Sequence, residues 1–530
     1  MRLKIALALA AVAVIATVAP VAQADANLRI DAVGYVPAAY DPAIPEYPRK
    51  PEKNWDFGNP DLGGILTVVV ANDGDADAAV TGVSVDGTPL AEFLAATCQD
   101  AGLACQSSPP REMAWARWLP SPVVPAGGAA VFQLKRTADV ETTLGLAFEG
   151  GAALEATTPD ASPVRLGLAY RDGDDVVAIV RNESGEDADV EGVRVAGASA
   201  DFAVLGGGDA VPAGRTAILR IPGAAADGEG GYLALTVATS EGDATVGMRV
   251  YAPFFPIGNW ITGGWSDPAF LADARAHHID TVWGYARNVA AAREYGFRLI
   301  ADAVPCLEGQ TSGCIAPEDE DVVAVYAYGD EVEFGRSAQE VMANLERRRL
   351  ESDRPTYIND AAQRAFQIYA GQADVGSMDH YTSGIGLCTI SGAQPSTMQG
   401  QPIEWAGNYT YYLKRNVEPN PAWVWSQAGN KKTTADSCWH GLPTVDEMRA
   451  QLFSELANGA KGTTWFIFGS YADVDPSPAL WAEAGLLGAT LAETRAWLAS
   501  GDLDPGALLG SSPDLEVGVV SAPDAVVVPI

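Results

Sequence analysis

Basic residues are scarce in this chain. Its 530 residues hold 34 Lys plus Arg against 68 Asp plus Glu, a net charge of −34. A surface this acidic repels phosphate backbones and anionic bilayers, so neither nucleic acid nor membrane is expected as a partner. Only four His and six Cys occur, and no Cys-x-x-C spacing, which removes the usual zinc and redox arrangements. No Gly-rich phosphate loop, Gly-x-Ser-x-Gly elbow or His-Glu-x-x-His helix is present, so no cofactor and no bound metal is expected. Beyond the N-terminus, no apolar run reaches the roughly 18 residues that a membrane helix requires.

Apolar residues, by contrast, make up 48% of the chain, enough for a large core. At roughly 150 residues per domain, the length suggests three to four domains. Arg2 and Lys4 precede an apolar run over 5–18, and Ala22-Gln23-Ala24 offers a small-x-small cleavage site. Residues 1–24 therefore read as a signal peptide, which implies a secreted or periplasmic protein. In an oxidising compartment an even cysteine count favours disulfides. Cys98 with Cys105 and Cys306 with Cys314 are local pairs, and elimination leaves Cys388 with Cys438.

From about residue 27 to 250, short β-patterned runs alternate with Gly, Asp, Asn and Pro. Thr67-Val68-Val69-Val70-Ala71-Asn72, an acidic turn and Gly82-Val83-Ser84-Val85 form one series. Val177-Ala178-Ile179-Val180-Arg181-Asn182, an acidic turn and Gly192-Val193-Arg194-Val195 repeat it. Each series reaches a further strand after a Pro-Ala-Gly turn, at Pro125 and at Pro212. The duplication predicts two antiparallel β-sandwiches, over 25–158 and 159–250. The turn Asp73-Gly74-Asp75-Ala76-Asp77 lacks the Gly and distal Glu of a calcium loop and reads as a solvated hairpin turn.

Past Tyr251 the texture changes, and ten of the thirteen Trp lie there. Strand patterns at 254–260, 281–285, 298–302, 322–330, 356–360, 375–381, 422–427 and 463–469 alternate with helical ones. Ser337 with Glu340 and Thr444 with Glu447 have capping-box spacing. Eight β-then-α units over 251–503 predict a (β/α)8 TIM barrel, interrupted at 303–320 by a disulfide-pinned loop. Residues 504–530 form a C-terminal β extension. The fold class is thus multidomain, with two N-terminal antiparallel β-sandwiches followed by an α/β barrel.

Active sites of such barrels lie at the C-terminal ends of the strands. Four of these ends are acidic: Asp302, Asp330-Glu331, Asp360 and Asp379. The fourth strand, Val322 to Tyr328, runs directly into Gly329-Asp330-Glu331. Neighbouring carboxylates repel, so one can keep its proton at neutral pH, as a general acid must. Glu331 has the longer reach and is the expected proton donor, with Asp330 as its modulator. Trp260, Tyr285, Tyr381, Gln427, Trp439 and Trp465 lie near the rim, where indoles can stack on sugar rings and polar groups can meet hydroxyls. The Cys388–Cys438 bond would hold Trp439 and His440 over the cleft. His277-His278 falls at the opposite end of the barrel.

The Gly-Asp-Glu ending of the fourth strand resembles the Asp-Glu-Pro ending of glycoside hydrolase-like (β/α)8 barrels. The segment Arg449 to Gly462, with Thr463-Thr464-Trp465-Phe466, is similar to the last helix and strand of the same barrels. The resemblance covers roughly residues 250–500. It implies hydrolysis of an O-glycosidic bond in a poly- or oligosaccharide, with no cofactor. Two departures stand out: Val332 replaces the Pro, and the seventh strand ends in Ser426-Gln427, where related retaining enzymes carry a nucleophilic Glu. A second carboxylate must then come from Asp379, Asp360 or Asp302. Asp379 is preferred for the company of His380 and Tyr381. The rival reading is a non-catalytic carbohydrate-binding or cell-surface protein on a degenerate barrel.

Overall fold

The computed structural model describes residues 26–39, 63–98, 112–225, 231–261, 264–310, 312–361, 365–379, 381, 403, 405–429, 443–466, 468, 477–504 and 517–530. The expected signal peptide, Cys105, His380, Cys388, Cys438, Trp439 and His440 lie outside them. Among the described residues, no helix is long and apolar enough to cross a membrane.

Before residue 250 the chain forms antiparallel sheets. Leu28–Pro37, Gly64–Asn72, Ala129–Arg136 and Ala114–Leu119 pair in that order. Val164–Asp172, Asp175–Asn182, Thr216–Ile221 and Ala203–Leu205 repeat the order about 110 residues later. Each of these sheets shares an apolar cluster with a second sheet. One cluster joins Val68 and Val70 to Leu144 and Leu146, and the other joins Val176 and Val180 to Leu235 and Val237. The alternation of inward apolar and outward polar side chains places these residues face to face.

The repeat extends to single hydrogen bonds. Asn72 Nδ2 donates to the carbonyls of Ala76 and Val124 at 2.7 and 3.2 Å, while its oxygen accepts from Gly74 N. Asn182 does the same with Glu186, Val211 and Ser184. Asp77 then accepts from Ala126 N, and Asp187 from Ala213 N. In both copies a buried Asn ties down the acidic turn, and the last Asp of the turn ties it to the Pro-Ala-Gly corner. That assigns Asp77 to a backbone donor.

The second half closes into an eight-stranded parallel barrel. Its strands are β1 (Ile257–Asn259), β2 (Thr281–Gly284), β3 (Arg298–Ala301), β4 (Val323–Ala327), β5 (Thr356–Asp360), β6 (Val375–Met378), β7 (Ala422–Gln427) and β8 (Thr463–Phe466). Closure is made by β1, which pairs in parallel with both β2 and β8. Every residue of β2, β4, β5, β6 and β7 is buried, as a parallel strand covered on both faces requires. Helix α1 (Ala338–Glu351) follows β4, α2 (Trp405–Val417) precedes β7, α3 (Val445–Ala457) follows it, and α4 (Pro478–Ser500) completes the ring.

Helix starts follow the sequence signals with one difference. Thr444 and Glu447 form a reciprocal capping box, with bonds of 2.7 and 3.1 Å. Ser337 accepts from Glu340 N, but Glu340 does not return the bond. Its carboxylate lies 3.4 Å from Arg336 instead, an ion pair that competes for the same side chain. The loop after β3 is pinned by the Cys306–Cys314 disulfide, and Pro305 bridges to Ile315 beside it. Cys98 is also disulfide-bonded. The chain's end forms a small sheet of Asp502–Leu503, Val520–Ser521 and Val526–Val527.

Sheets and barrel meet through buried polar groups. Trp115 Nε1 donates to Ile368 O at 2.8 Å, and Arg117 donates to Gln372 O at 3.0 Å. Asp374, just before β6, takes Arg349 at 3.2 Å and lies 3.6 Å from Arg249. Burial alone would raise the Asp374 carboxyl, but the two guanidiniums outweigh it and hold it below its ordinary value. Such a pair contributes little against an apolar substitute, yet removing one partner strands the other charge. The junction therefore fixes the barrel's orientation on the sheets.

Candidate active site

The rim of the barrel is built where the strands stop. After β4, Gly329 and Glu331 both adopt positive φ, 83° and 48°. The left-handed turn costs Gly329 little, but Glu331 carries a Cβ into a region that disfavours it. The chain thus bends sharply at the mouth, and the strand ends at Ala327 rather than continuing to Asp330. Glu331 is half-buried, and its side chain does not cap the short helix Val332–Phe334 that begins there. Asp330 is exposed and accepts a hydrogen bond of 2.9 Å from Asn359 Nδ2 on β5.

Asp379 follows β6 directly and is only 7% exposed. Desolvation pushes its carboxyl well above the ordinary carboxylate value, and the charges of Asp330, Glu331 and Glu333 push it further. Asn359 acts in the opposite sense by hydrogen bonding. Four carboxyl groups from β4 and β6 therefore share one electrostatic neighbourhood, which favours the protonated form of Asp379. Tyr381 is 3% exposed. Burial raises its hydroxyl far above the usual phenol value, with Asp379, Asp330 and Glu331 adding to the effect.

Sequence reasoning passed over Glu333. It is completely buried, as is Asp360 at the end of β5. Glu333 Oε1 accepts from Ala361 N at 2.7 Å, which brings its carboxyl beside Asp360. Burial raises Asp360 well above its ordinary value, and Glu333 adds both charge repulsion and a shared hydrogen bond. The neighbouring carboxyl thus favours the protonated form of Asp360. This pair ties the β4 turn to β5 from below. The Gly-Asp-Glu-Val-Glu spelling held the residue in view, but only folding brings Asp360 to it.

Asp302, after β3, is half-buried, and desolvation raises it while Arg348 partly offsets the rise. Tyr285, after β2, is half-buried and carries the Arg287 guanidinium 4.4 Å above its ring. Gln427 is fully buried, with its amide donating to Gly429 O at 3.3 Å. One residue earlier, Ser426 bonds to Glu455 of α3 and lies 2.9 Å from Thr463 Oγ1. The end of β7 is thus committed to packing against its own helix.

Aromatic residues separate into two groups. Trp283, Trp425, Tyr357 and Tyr381 fill the barrel interior, with half-buried Trp260 against them. Trp260 stacks on Trp283 at 4.7 Å and meets Trp425 edge-on at 5.3 Å. Trp425 Nε1 donates to Tyr357 Oη at 2.7 Å. Trp465 is fully buried on the other side of the strand, among the residues between barrel and helices. It has no face to offer a sugar, because its position on β8 turns it away from the lumen. Among the described residues, no group of three or more His, Cys, Asp or Glu is arranged to hold a metal ion.

The sequence matches no protein-family model and no curated protein. Several solved structures align with it at low similarity. A β-glucuronidase from Dictyoglomus thermophilum is 10% identical over 84% of this chain and 91% of its own, with a TM-score of 0.27. A β-glucuronidase from Ruminococcus gnavus is 10% identical over 88% and 98%, with a TM-score of 0.28. A putative glycoside hydrolase from Bacteroides vulgatus is 8% identical over 67% and 82%, with a TM-score of 0.32. Likeness of this order carries no argument about activity, which rests on the site alone.

Proposed function

We propose that the chain is an exported glycoside hydrolase that cleaves O-glycosidic bonds of a poly- or oligosaccharide at the mouth of its barrel. The observation that carries this reading is Asp379, buried at the end of β6 within reach of the charges of Asp330, Glu331 and Glu333. Glycoside hydrolysis needs two carboxyl groups in opposite states, one protonated and one ionised. A buried and a half-buried carboxyl in one electrostatic neighbourhood supply that difference.

Burial also reverses the roles expected from side-chain reach. Asp379, the deeper group, is the better proton donor to the leaving oxygen. Glu331, closer to solvent, is the better ionised partner, as nucleophile or as base for water. Asp330 and Asn359 set the balance, since Asn359 touches both Asp330 and Asp379. Half-buried Trp260 and the rim groups Tyr285 and Asp302 would receive the sugar. The rival, a non-catalytic binding protein, draws on the buried amide of Gln427 where a nucleophile would be expected.

A leaving-group experiment separates the roles. Asp379→Asn should lose turnover of unactivated glycosides by at least about a hundredfold yet retain much of it on dinitrophenyl glycosides, whose leaving group needs no proton. Glu331→Gln should lose both. Equal losses on the two substrates for Asp379→Asn would remove it as the acid, and wild-type rates in both variants would favour the binding protein.

A further inference from the structure

A cavity of about 590 Å³ lies between the strands Val164–Asp172 and Asp175–Asn182 and helix α2, and none of the mouth carboxyls lines it. Arg165, Arg181 and Arg415 line it, together with Glu183, Tyr411 and Tyr412. Clustering three guanidiniums is unusual in a chain with a net charge of −34. It is the kind of concentration that a fold keeps only when something negative answers it.

The anions in place do not suffice. Glu183 serves all three arginines: Arg181 at 3.0 Å, Arg415 through both of its oxygens, and Arg165 at 3.3 Å. Arg181 also bonds to Glu418, which takes Lys414 at 2.7 Å. Lys414 in turn reaches Asp502 at 2.9 Å, and Lys461 lies 3.6 Å from the same carboxylate. Among the described residues, five cations thus share three carboxylates. The deficit is visible atom by atom. Arg165 Nη1 and Arg181 Nη1 are buried without a hydrogen-bond partner among the described residues, and Arg165 Nε faces Glu183 at 3.3 Å without hydrogen-bond geometry. The Arg181 side chain is only 2% exposed.

We propose that this cavity is a binding site for an oxyanion, the sulfate, phosphate or carboxylate group of a small anion or of an acidic sugar. Planar guanidiniums with unused donors match such a group in charge and in fork geometry. The half-buried Tyr411 beside Arg415 gives a sugar ring a wall to lie against. The site is separate from the carboxyl cluster and does not depend on the glycosidase reading.

Equilibrium dialysis of the full chain against labelled sulfate, and separately against acetate, glucuronate and glucose, tests the proposal. Sulfate should bind at one site per chain at low ionic strength and weaken as salt screens the pocket. Arg165→Gln and Arg415→Gln should each weaken it at least about tenfold, and Arg165→Lys, which keeps the charge but not the fork, by less. Both glutamine variants should keep the wild-type circular dichroism. Glucuronate binding at least about tenfold tighter than acetate assigns the anion to a sugar, whereas equal binding assigns a free anion; either supports the site. No bound anion, binding unchanged in both glutamine variants, or glucose binding as tightly as glucuronate would overturn it.

Discussion

Replacing Glu455 by Gln removes a proton-binding group from behind β7. Glu455 is fully buried on α3, bonded to Ser426 and to Gln451 Nε2, the latter at 3.0 Å. Desolvation pushes its carboxyl up from 4.5 to about 8, with the two hydrogen bonds pulling the other way. Ser426 Oγ donates to Glu455 and lies 2.9 Å from Thr463 Oγ1. The folded chain therefore keeps a proton that the unfolded chain releases above about 4.5. The associated stability is fully present below that pH and is lost as pH rises through about 8. At about 1.4 kcal/mol per pH unit, the whole window amounts to roughly 5 kcal/mol as an upper figure. In Glu455→Gln the amide has no such proton but keeps the shape and the bonding capacity. Urea unfolding of both proteins at several pH values from about 5 to about 8 should show the variant gaining on the wild type by about 1.4 kcal/mol per unit. A difference in stability that stays constant across that range would refute the buried, protonated state of Glu455.

Two further substitutions address other parts of the account. Trp260→Ala should raise KM about fivefold on any oligosaccharide the proposed hydrolase cleaves, with a smaller change in kcat, because a stacking face is worth roughly 1 kcal/mol; an unchanged KM would remove Trp260 from the sugar path. Asp374→Asn leaves Arg349 and Arg249 buried without their shared anion and should cost about 3–5 kcal/mol in urea unfolding. Because Asp374 lies below its unfolded value of 3.8, its contribution is present above that pH and is lost as pH falls through the folded value. The Asn variant should therefore lose that share of the wild type's acid sensitivity, and identical acid titrations would contradict the pairing.

The barrel strands are legible as short β-patterned runs alternating with helical ones, most plainly at β4, where Val323 to Ala327 is an unbroken apolar run. Their ends were less so. The run from Val322 onward gave no sign that the strand would stop three residues before Asp330, since that depends on the positive φ of Gly329 and Glu331. Composition placed the tryptophans near the rim but not their facing, and Trp465 and Trp260 differ only in which side of a strand they leave. Asp379 was legible as a strand-end acid. The upward push on its carboxyl comes first from burial, which no local pattern states. The Glu333–Asp360 contact and the Arg181–Glu418 pair join residues 27 and 237 positions apart, so only the folded chain brings them together.

In the proposed mechanism Asp379 carries a proton at neutral pH. Infrared difference spectroscopy of wild type against Asp379→Asn reads this directly, because a protonated carboxyl has a carbonyl stretch distinct from the carboxylate bands. A carbonyl band at neutral pH that vanishes in the variant is the predicted result. A difference spectrum containing only carboxylate bands would contradict it, and with it the assignment of the acid.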